Sequence, residues 1–481
     1  MSYEDRAKPA SESTLELSPE IARQLGHDLV DAIVEYRERL RDLPALKRAS
    51  HASLAPWLRE PLPAARRDPG EVIRRVLDDV LPYMGRPDHP RYFAFVPGPS
   101  NIVGVLADLI TAGFNVFAGT WLEGSGPAVI ESTTIEWLSG LAGMPPTAGG
   151  IFVSGGSIAN LTALHAARES RLAAEDRRRA MIYYSDQTHS SIDRALRILG
   201  FAPEQIHVVP SSGTYVIDVA ALRDAIAADR TAGLLPFCLI SNAGTTNTGA
   251  IDPLEQLAEV CDAEGLWHHA DGAFGAGALF SGLGRTLLAG LGRCDSFSVD
   301  PHKWLFQPYP CGCVIVRDQA QLRRAFSIVP EYLADANVNE NEINYWEFGP
   351  ELTRPFRALK LWMSLQVFGA DAFGAAVDRG FELAELAERE VLRRSGWHIC
   401  SPACMGVVTF RYAPDGMDAH IADELNRRIA LALTENGYAA IVTTRLAGRV
   451  VIRMCTLNPR TTDDDIRETV SRLDELAKAI T

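Results

Sequence analysis

One lysine of this 481-residue chain stands in an unusual setting for a charged side chain. Lys303 lies in the apolar, aromatic-bordered stretch SVDPHKWLFQPY, whose one acidic residue is Asp300. Only five of the 47 lysines and arginines are lysines, so arginine supplies the plain positive charge almost everywhere. A lysine amine, unlike a guanidinium, can lose its proton and attack a carbonyl. The sequence therefore predicts a chemical role for Lys303. The other candidate for this role is Lys360, in RALKLWMSL, which is expected to lie at the charged edge of an amphipathic helix.

Three further polar features each follow a predicted strand. The turn SGGS (154–157) opens a long helix, and glycines at a helix N-terminus suit an anion, although such a turn is often only a turn. Asp271 ends the apolar strand of WHHADGAF, where an unpaired carboxylate is costly, although it could simply cap the next segment. His189, in SDQTHSS, follows another strand, and a lone histidine is usually structural. Together with Lys303 they make the set that pyridoxal phosphate requires: an anion cradle, a carboxylate for the ring nitrogen, an imidazole for the ring face and an amine.

Alternating strands and helices between about residues 100 and 315 would bring these features together. Such alternation predicts an α/β fold with a mostly parallel sheet, helices on both faces and active residues at the strand ends. Two N-terminal stretches with helical spacing lack a core of their own, so they should pack on the main domain or on another subunit. The tail alternates again, with strands expected in MGVVTFRY, AAIVTTRLA and RVVIRMCT. The predicted domains are a helical N-terminal segment (1–98), a large cofactor domain (99–372) and a smaller α/β domain (373–481).

Charge and composition argue against several kinds of partner. A net charge of −14 is unfavourable for nucleic acid or an anionic membrane as the main partner. The polar, acidic N-terminus lacks the apolar core of a signal peptide, and the most apolar stretches are too short and too broken to span a bilayer. The eight cysteines lack metal-site spacing, so no metal is expected. The sequence favours a cytoplasmic protein that acts on a small molecule.

From about residue 90 to 365 the chain resembles the group II pyridoxal-phosphate decarboxylases, the family of the aromatic-L-amino-acid decarboxylases. The matching motifs are SGGSIANLTAL, SDQTHSSIDRA, SNAGTTNTGAIDP, HHADGAF, DSFSVDPHKWLFQP and LTRPFRALKLW, and DPHKW is highly specific. The resemblance implies the aspartate-aminotransferase-like fold (fold type I) and pyridoxal 5'-phosphate as cofactor. It implies that Lys303 holds the cofactor, that Asp271 faces the ring nitrogen and that His189 stacks on the ring. The other implied contacts are to the phosphate (Gly156, Ser157, His302) and to the ring (Thr246, Ala273).

The resemblance also implies the reaction, decarboxylation of an L-amino acid to an amine and CO₂. Relatives use a tyrosine on a mobile loop that reaches across a dimer interface. Counting back from RPFRALK assigns this role to Tyr345, in NENEINYWEFG, although a loop tyrosine is commonly a packing residue. In relatives that form aldehydes with oxygen this position tends to be phenylalanine, so Tyr345 with His189 favours the amine, and an aldehyde synthase is the alternative. An aminotransferase, a β-eliminating lyase and a non-catalytic homologue are further alternatives.

The substrate pocket is expected from two segments, YFAFVPGPSN and FAGTW, and from one arginine of the small domain. The predicted residues are Phe95, Gly98, Phe117, Gly119, Trp121 and Arg453. The three aromatic rings suit an aromatic amino acid. The two glycines stand where animal aromatic decarboxylases carry larger side chains, which predicts a reshaped or roomier pocket. The arginine could bind the substrate carboxylate or serve only as a contact between domains.

Two further expectations follow from the resemblance. Gly272 and Phe274 stand where the family usually has Ala and Tyr, which predicts a slightly looser ring pocket. The coreless N-terminal helices and the trans-acting loop of the relatives both predict a homodimer with the active site at the subunit interface.

Overall fold

The computed structural model describes residues 15–328 and 342–480. Its strands are β1 (Gly149–Val153), β2 (Ala180–Ser185), β3 (Ile206–Val209), β4 (Leu235–Asn242), β5 (Trp267–Asp271), β6 (Ser296–Val299), β7 (Gly312–Val316), β8 (Trp397–Cys404), β9 (Val407–Tyr412), β10 (Val442–Leu446) and β11 (Arg449–Cys455). Its α-helices are α1 (Pro19–Glu38), α2 (His51–Leu58), α3 (Pro69–Arg75), α4 (Ile102–Gly113), α5 (Trp121–Leu141), α6 (Gly156–Arg171), α7 (Ser191–Ile198), α8 (Val219–Thr231), α9 (Leu254–Glu264), α10 (Gly282–Leu287), α11 (Ala320–Phe326), α12 (Ala358–Phe368), α13 (Ala370–Leu392), α14 (Ala419–Glu435) and α15 (Asp463–Ile480).

The larger sheet has seven strands in the order β1-β7-β6-β5-β4-β2-β3. The pairs from β6 to β3 are parallel, and β7 runs antiparallel to both β1 and β6. The prediction of a mostly parallel sheet is confirmed, and the antiparallel β7 is an addition to it. Because β1 opposes β7, it runs in the same direction as β6. The carboxyl ends of β1, β2, β4, β5 and β6 therefore lie at one edge of the sheet.

Helices cover both faces of this sheet, as continuous burial of a parallel strand requires. On β2, Ile182 belongs to the cluster that includes Leu164 of α6 and Leu196 of α7. The next residue, Tyr183, points to the other face and joins Leu222 of α8. Alternate residues along one strand thus enter two different cores, which fixes the register of the strand.

The smaller sheet is antiparallel, with strands in the order β10-β11-β9-β8. The strands predicted in MGVVTFRY, AAIVTTRLA and RVVIRMCT are confirmed, whereas β8 was not expected. Helices α13, α14 and α15 supply the apolar residues of its core, among them Leu383, Ile429 and Leu473.

The N-terminal helices are weakly tied to the rest of the chain. Helices α1, α2 and α3 contain no buried residue, which confirms that they lack a core. The C-terminal end of α1 is held by Arg37, whose guanidinium donates to the Ser100 hydroxyl and carbonyl oxygens. Large apolar side chains of α1, including Ile21, Val30 and Val34, remain exposed. Within the described ranges, no helix combines the length and the apolar character needed to cross a membrane.

Candidate active site

One cavity of about 340 Å³ opens at the edge where the parallel strands end. The residues that follow β1, β2, β5 and β6 all contribute to its wall. All eight residues predicted to contact the cofactor line it: Gly156, Ser157, His189, Thr246, Asp271, Ala273, His302 and Lys303. Ser191, Asn242, Phe274 and Asp300 also line the cavity and were not among the predicted site residues.

The amine of Lys303 is positioned by the buried carboxylate of Asp300. The Lys303 Nζ atom lies 3.0 Å from Asp300 Oδ2, and the lysine side chain is 24% exposed, so it reaches the cavity. The second oxygen, Asp300 Oδ1, is buried and has no hydrogen-bond partner among the described residues. The Asp300 main-chain N–H is held in turn by the Ala273 carbonyl oxygen, 3.0 Å away. Asp300 is therefore fixed by its main chain and presents one carboxylate oxygen to the lysine amine.

Lys360, the rival lysine, has a different place from the one predicted. It is buried rather than at an exposed helix edge, and its Nζ atom donates to the carbonyl oxygens of Pro308 and Pro310 at 3.2 Å each. Its charge is balanced by Asp108, with the Nζ and Oδ1 atoms 3.0 Å apart. Lys360 thus holds the loop that follows Lys303 and does not line the cavity.

The first turn of α6 forms an anion-binding end of the cavity. The helix begins without a side-chain cap, and its first N–H donors to a backbone carbonyl are Ile158 and Ala159, both bonded to Gly155. The preceding amides of Gly156 and Ser157 are therefore available to an anion. An added Cβ atom at Gly156 would lie 2.7 Å from Ala273 Cβ, which explains the glycine.

His302 supplies a neutral donor beside this end. Its Nδ1 atom accepts the Cys311 N–H at 3.2 Å, which leaves the proton on Nε2. Burial lowers the pKa of His302, so the neutral form is favoured at pH 7. The Nε2 atom lies 3.6 Å from Asp300 Oδ2, too far for a hydrogen bond, so its N–H can donate to another acceptor.

The side chain of Asp271 is surrounded by hydrogen-bond donors. Its Oδ2 atom accepts from Asn160 Nδ2 at 3.0 Å, and its Oδ1 atom accepts from the Ser298 hydroxyl and the Ala273 N–H, both at 3.2 Å. Three donors surround the side chain, which suits the acceptor oxygens of a carboxylate. A carboxylate at this wall can pair with a protonated ring nitrogen.

The imidazole of His189 is fixed by its neighbour on α7. Its Nδ1 atom lies 2.9 Å from the Ser191 hydroxyl oxygen and accepts the Ser191 N–H at 3.2 Å. The Nε2 atom therefore carries the proton in the neutral ring. Ser191 could not be singled out from the sequence, because a serine after a histidine in SDQTHSS carries no distinguishing signal.

The residues predicted for the substrate do not line this cavity. Phe95, 60% exposed and with a φ of 55°, and Arg453 line a second cavity of about 540 Å³, which shares Thr246 with the first. Arg453 donates to the Phe95 carbonyl oxygen and, at 3.3 Å, to that of Asn247, so it joins the small domain to the large one. Its Nη2 atom has no partner among the described residues. Phe117 and Trp121 line neither cavity.

The glycines predicted to enlarge the pockets leave no free space. An added Cβ atom at Gly98 would lie 2.0 Å from the His302 carbonyl oxygen and 2.6 Å from the Tyr309 hydroxyl. At Gly119 it would lie 2.4 Å from the Phe117 ring. At Gly272 it would lie 2.7 Å from the Ser298 carbonyl oxygen. The prediction of a roomier substrate pocket and a looser ring pocket is wrong, because neighbouring groups already fill these positions.

Tyr345 does not lie on an exposed loop. Its side chain is 3% exposed, packs on Phe348 and stands 5.1 Å from the guanidinium carbon of Arg354. Arg354 forms a fully buried ion pair with Glu131, at 2.6 Å. Burial raises the pKa of Tyr345. The expectation of a lid residue that reaches another subunit is therefore wrong for Tyr345, and residues 339–341 of the predicted loop lie outside the described residues.

The chemistry of the residues that line the cavity fits pyridoxal phosphate. Four groups face the same space: a lysine amine, a carboxylate, an imidazole and a helix N-terminus. In that order they match the cofactor's aldehyde, ring nitrogen, ring face and phosphate. The parts of the chain that the structure describes contain no cluster of three or more side chains that could bind a metal ion.

Known proteins resemble this chain in sequence and in fold. The family model described as "Pyridoxal-dependent decarboxylase conserved domain" matches residues 58–413. An aromatic-L-amino-acid decarboxylase of Bacillus atrophaeus is 45% identical over 468 residues, covering 97% of both chains. A phenylacetaldehyde synthase of Arabidopsis thaliana is 30% identical over 468 residues, covering 94% of this chain and 95% of the relative. The crystal structure of Oryza sativa TDC with PLP and tryptamine has a TM-score of 0.91 at 27% identity, covering 96% of this chain and 99% of that one.

Proposed function

Because the chain belongs to the pyridoxal-dependent decarboxylase family and is a pyridoxal-phosphate-dependent carboxy-lyase of fold type I, we propose that it converts an aromatic L-amino acid to the amine and CO₂. The main support is the 45% identity, along 97% of the chain, to an enzyme named aromatic-L-amino-acid decarboxylase. The cavity that gathers all eight predicted cofactor contacts supports the same reaction.

The roles of the residues follow from their contacts. Bound pyridoxal phosphate supplies an acceptor for the electron pair that remains when CO₂ leaves the substrate. Lys303 would hold the cofactor through its amine, and Asp300 would keep that amine in place. Asp271, surrounded by donors, would keep the ring nitrogen protonated, and His189 would lie against the ring face.

The phosphate would lie at the start of α6. The free amides of Gly156 and Ser157 and the Nε2–H of His302 are three neutral donors, which suit a dianion. Thr246 and Ala273, in the same wall, would contact the ring. Burial lowers the pKa of His302 and so favours the neutral ring, whereas the nearby Asp300 carboxylate opposes that change.

A tyrosine is the proposed proton donor that distinguishes the amine from the aldehyde. Residues 327–353 contain two tyrosines, Tyr332 and Tyr345. Tyr345 is packed against Arg354 in the core, so we assign the role to Tyr332, which lies outside the described residues. The aldehyde-forming reaction is the second candidate, because a phenylacetaldehyde synthase is 30% identical over nearly the whole chain.

A homodimer would complete the site. Helix α4 and its C-terminal cap residue expose an apolar face, made of Leu106, Leu109, Ile110 and Phe114 at helical spacing. A 20-residue helix such as α1, with no buried side chain, gains its stability from packing, and a second copy of this chain would supply it. Phe117 and Trp121, which line neither cavity of one chain, would then contribute to the substrate pocket from the partner subunit.

The state of the cysteines supports a cytoplasmic location. All eight lie within the described ranges as free thiols, six of them buried, which is typical of a reducing compartment.

The substrate class is tested by comparing kcat/KM across a panel of amino acids. Purified enzyme loaded with pyridoxal phosphate would be given L-Phe, L-Tyr, L-Trp, L-Glu, L-Lys and L-Leu, with CO₂ release as the readout and the Lys303→Ala variant as the blank. We expect an aromatic amino acid to exceed every non-aromatic one by at least tenfold. A higher value for L-Glu, L-Lys or L-Leu would contradict the proposed substrate class.

A further inference from the structure

A line of buried polar side chains runs behind the wall of the active site. Trp267 Nε1 lies 2.9 Å from the Ser296 hydroxyl oxygen, which lies 2.9 Å from His269 Nδ1. The other ring nitrogen, His269 Nε2, lies 3.0 Å from Asn160 Oδ1. The Asn160 amide nitrogen then contacts two groups, Asp271 Oδ2 at 3.0 Å and the Ser191 hydroxyl at 3.1 Å.

The chemistry of the groups fixes the direction of every bond in this line. The Asp271 carboxylate can only accept, so the Asn160 amide nitrogen faces it and the Asn160 carbonyl oxygen faces His269 Nε2. Ser296 accepts the indole N–H of Trp267 and donates its own proton to His269 Nδ1. The proton of the imidazole is then on Nε2 and is donated to the carbonyl oxygen of Asn160. This leaves the amide nitrogen of Asn160 as the donor to both Asp271 and Ser191. Turning the Asn160 amide group over could not satisfy the same three neighbours, His269, Asp271 and Ser191.

The line carries no net charge of its own. Trp267, Ser296, His269 and Asn160 are all fully buried. Burial lowers the pKa of His269 to about 4, and the nearby Asp271 opposes that change, so the imidazole is neutral at pH 7. A protonated His269 would donate from both nitrogens and would compete with the Ser296 proton. The neutral ring is therefore the form that orients Asn160.

We propose that Asn160 is a positioning residue that joins the two cofactor-facing side chains, Asp271 directly and His189 through Ser191, and that His269 fixes the orientation of Asn160. One amide group then sets where the carboxylate meets the ring nitrogen and where the imidazole meets the ring face. The inference rests on the proposed roles of Asp271 and His189, and it is independent of which amino acid is the substrate.

If Asn160 had only a structural role, its loss would lower the stability of the protein without changing the affinity for the cofactor. Asn160 lies on α6, two residues before Thr162, whose equally buried hydroxyl donates to the Ile158 carbonyl oxygen at 2.7 Å. Removing either side chain's polar group breaks buried hydrogen bonds and lowers the stability of the apoprotein. Only the loss of the Asn160 amide reaches Asp271 and Ser191. Cofactor affinity therefore separates positioning from simple packing, and Thr162→Val is the matched control.

The experiment measures the dissociation constant of pyridoxal phosphate by titrating the apoprotein and following the absorbance of the bound cofactor. Urea unfolding of the same apoproteins gives their stability. Asn160→Leu and His269→Leu should weaken cofactor binding about ten- to a hundredfold, the range typical of groups that orient a ligand-binding side chain. His269→Gln should stay within threefold of the wild type, because its amide N–H can still donate to Asn160. Thr162→Val should lower stability and leave the affinity unchanged.

Two results would overturn the proposal. One is an Asn160→Leu variant whose dissociation constant lies within twofold of that of Thr162→Val. The other is equal affinity for His269→Gln and His269→Leu. If Asn160→Leu does not accumulate as folded protein, Asn160→Asp, which keeps the size and loses the donors, replaces it with the same expected loss. Because the readout is cofactor binding, failure of the aromatic-substrate proposal would leave these results unaffected.

Discussion

Mild acid should destabilise the apoprotein through a histidine that the proposed reaction does not use. His268 lies on β5 with its Nε2 atom 2.9 Å from the Ser241 hydroxyl and its Nδ1 atom 3.5 Å from Cys294 Sγ. The side chain is buried, and burial, followed by the neighbouring His269, lowers its pKa to about 3 from an ordinary value near 6.5. The folded state therefore holds the neutral ring, whereas the unfolded chain takes up a proton as the pH falls below 6.5.

The size of the effect follows from the two pKa values. Between pH 6.5 and pH 3 the unfolded state binds more protons than the folded state, so stability falls as the pH falls. From pH 7 to pH 5 the contribution of one such histidine decreases by about 2 kcal/mol. Replacing His268 by a side chain that does not titrate should reduce the pH dependence of the unfolding free energy by the same amount.

The assay is urea unfolding of the apoprotein at pH 7 and at pH 5, followed by circular dichroism. For His268→Gln the loss of unfolding free energy between the two pH values should be about 2 kcal/mol smaller than for the wild type. Thr162→Val, which removes a buried hydrogen bond and no titrating group, should show the wild-type pH dependence at lower overall stability. An unchanged pH dependence in His268→Gln would refute the reasoning.

Three further predictions concern the site and the assembly. Lys303→Ala should abolish the absorbance band of bound cofactor, whereas Lys360→Met should keep it because that amine holds a loop. A retained band in Lys303→Ala would contradict the assignment. Tyr332→Phe should divert most product from amine to aldehyde with oxygen uptake, and Tyr345→Phe should keep the amine because its ring is buried; the opposite pattern would restore Tyr345 as proton donor. Leu109→Asp should weaken the dimer at least tenfold by light scattering, because it would place a charge in the proposed interface. A dimer of wild-type affinity would place the interface elsewhere.

The cofactor site could be predicted from the sequence because its residues are tied to strand ends. Gly156, His189, Asp271 and Lys303 each follow a strand that alternates with a helix. Parallel strands bring their carboxyl ends to one edge, so positions far apart in sequence converge without knowledge of the packing. Asn160 could not be found in this way, because it lies inside a helix and its partners belong to β5 and α7.

The predictions that were wrong concern residues whose surroundings are set by contacts between distant parts of the chain. A glycine in the sequence removes a side chain, but the group that fills the space at Gly98 is the backbone of His302, which is 204 positions away in a different motif. Counting along a loop placed Tyr345 at the site, whereas its ring is buried beside Arg354, which is ion-paired with Glu131. Strand β8, in WHICSPAC, mixes polar residues and a proline and has no clear alternation. The domain limits at 98 and 372 remain predictions.

The stoichiometry of the reaction is the most direct test of the proposed activity. With an aromatic L-amino acid and the enzyme saturated with pyridoxal phosphate, CO₂, amine, aldehyde and dissolved oxygen would be measured in one reaction. A carboxy-lyase that returns a proton to the substrate should release one amine for each CO₂, with no aldehyde and no oxygen uptake. Aldehyde formed in step with oxygen consumption would contradict the amine as product and would identify the chain as an aldehyde synthase.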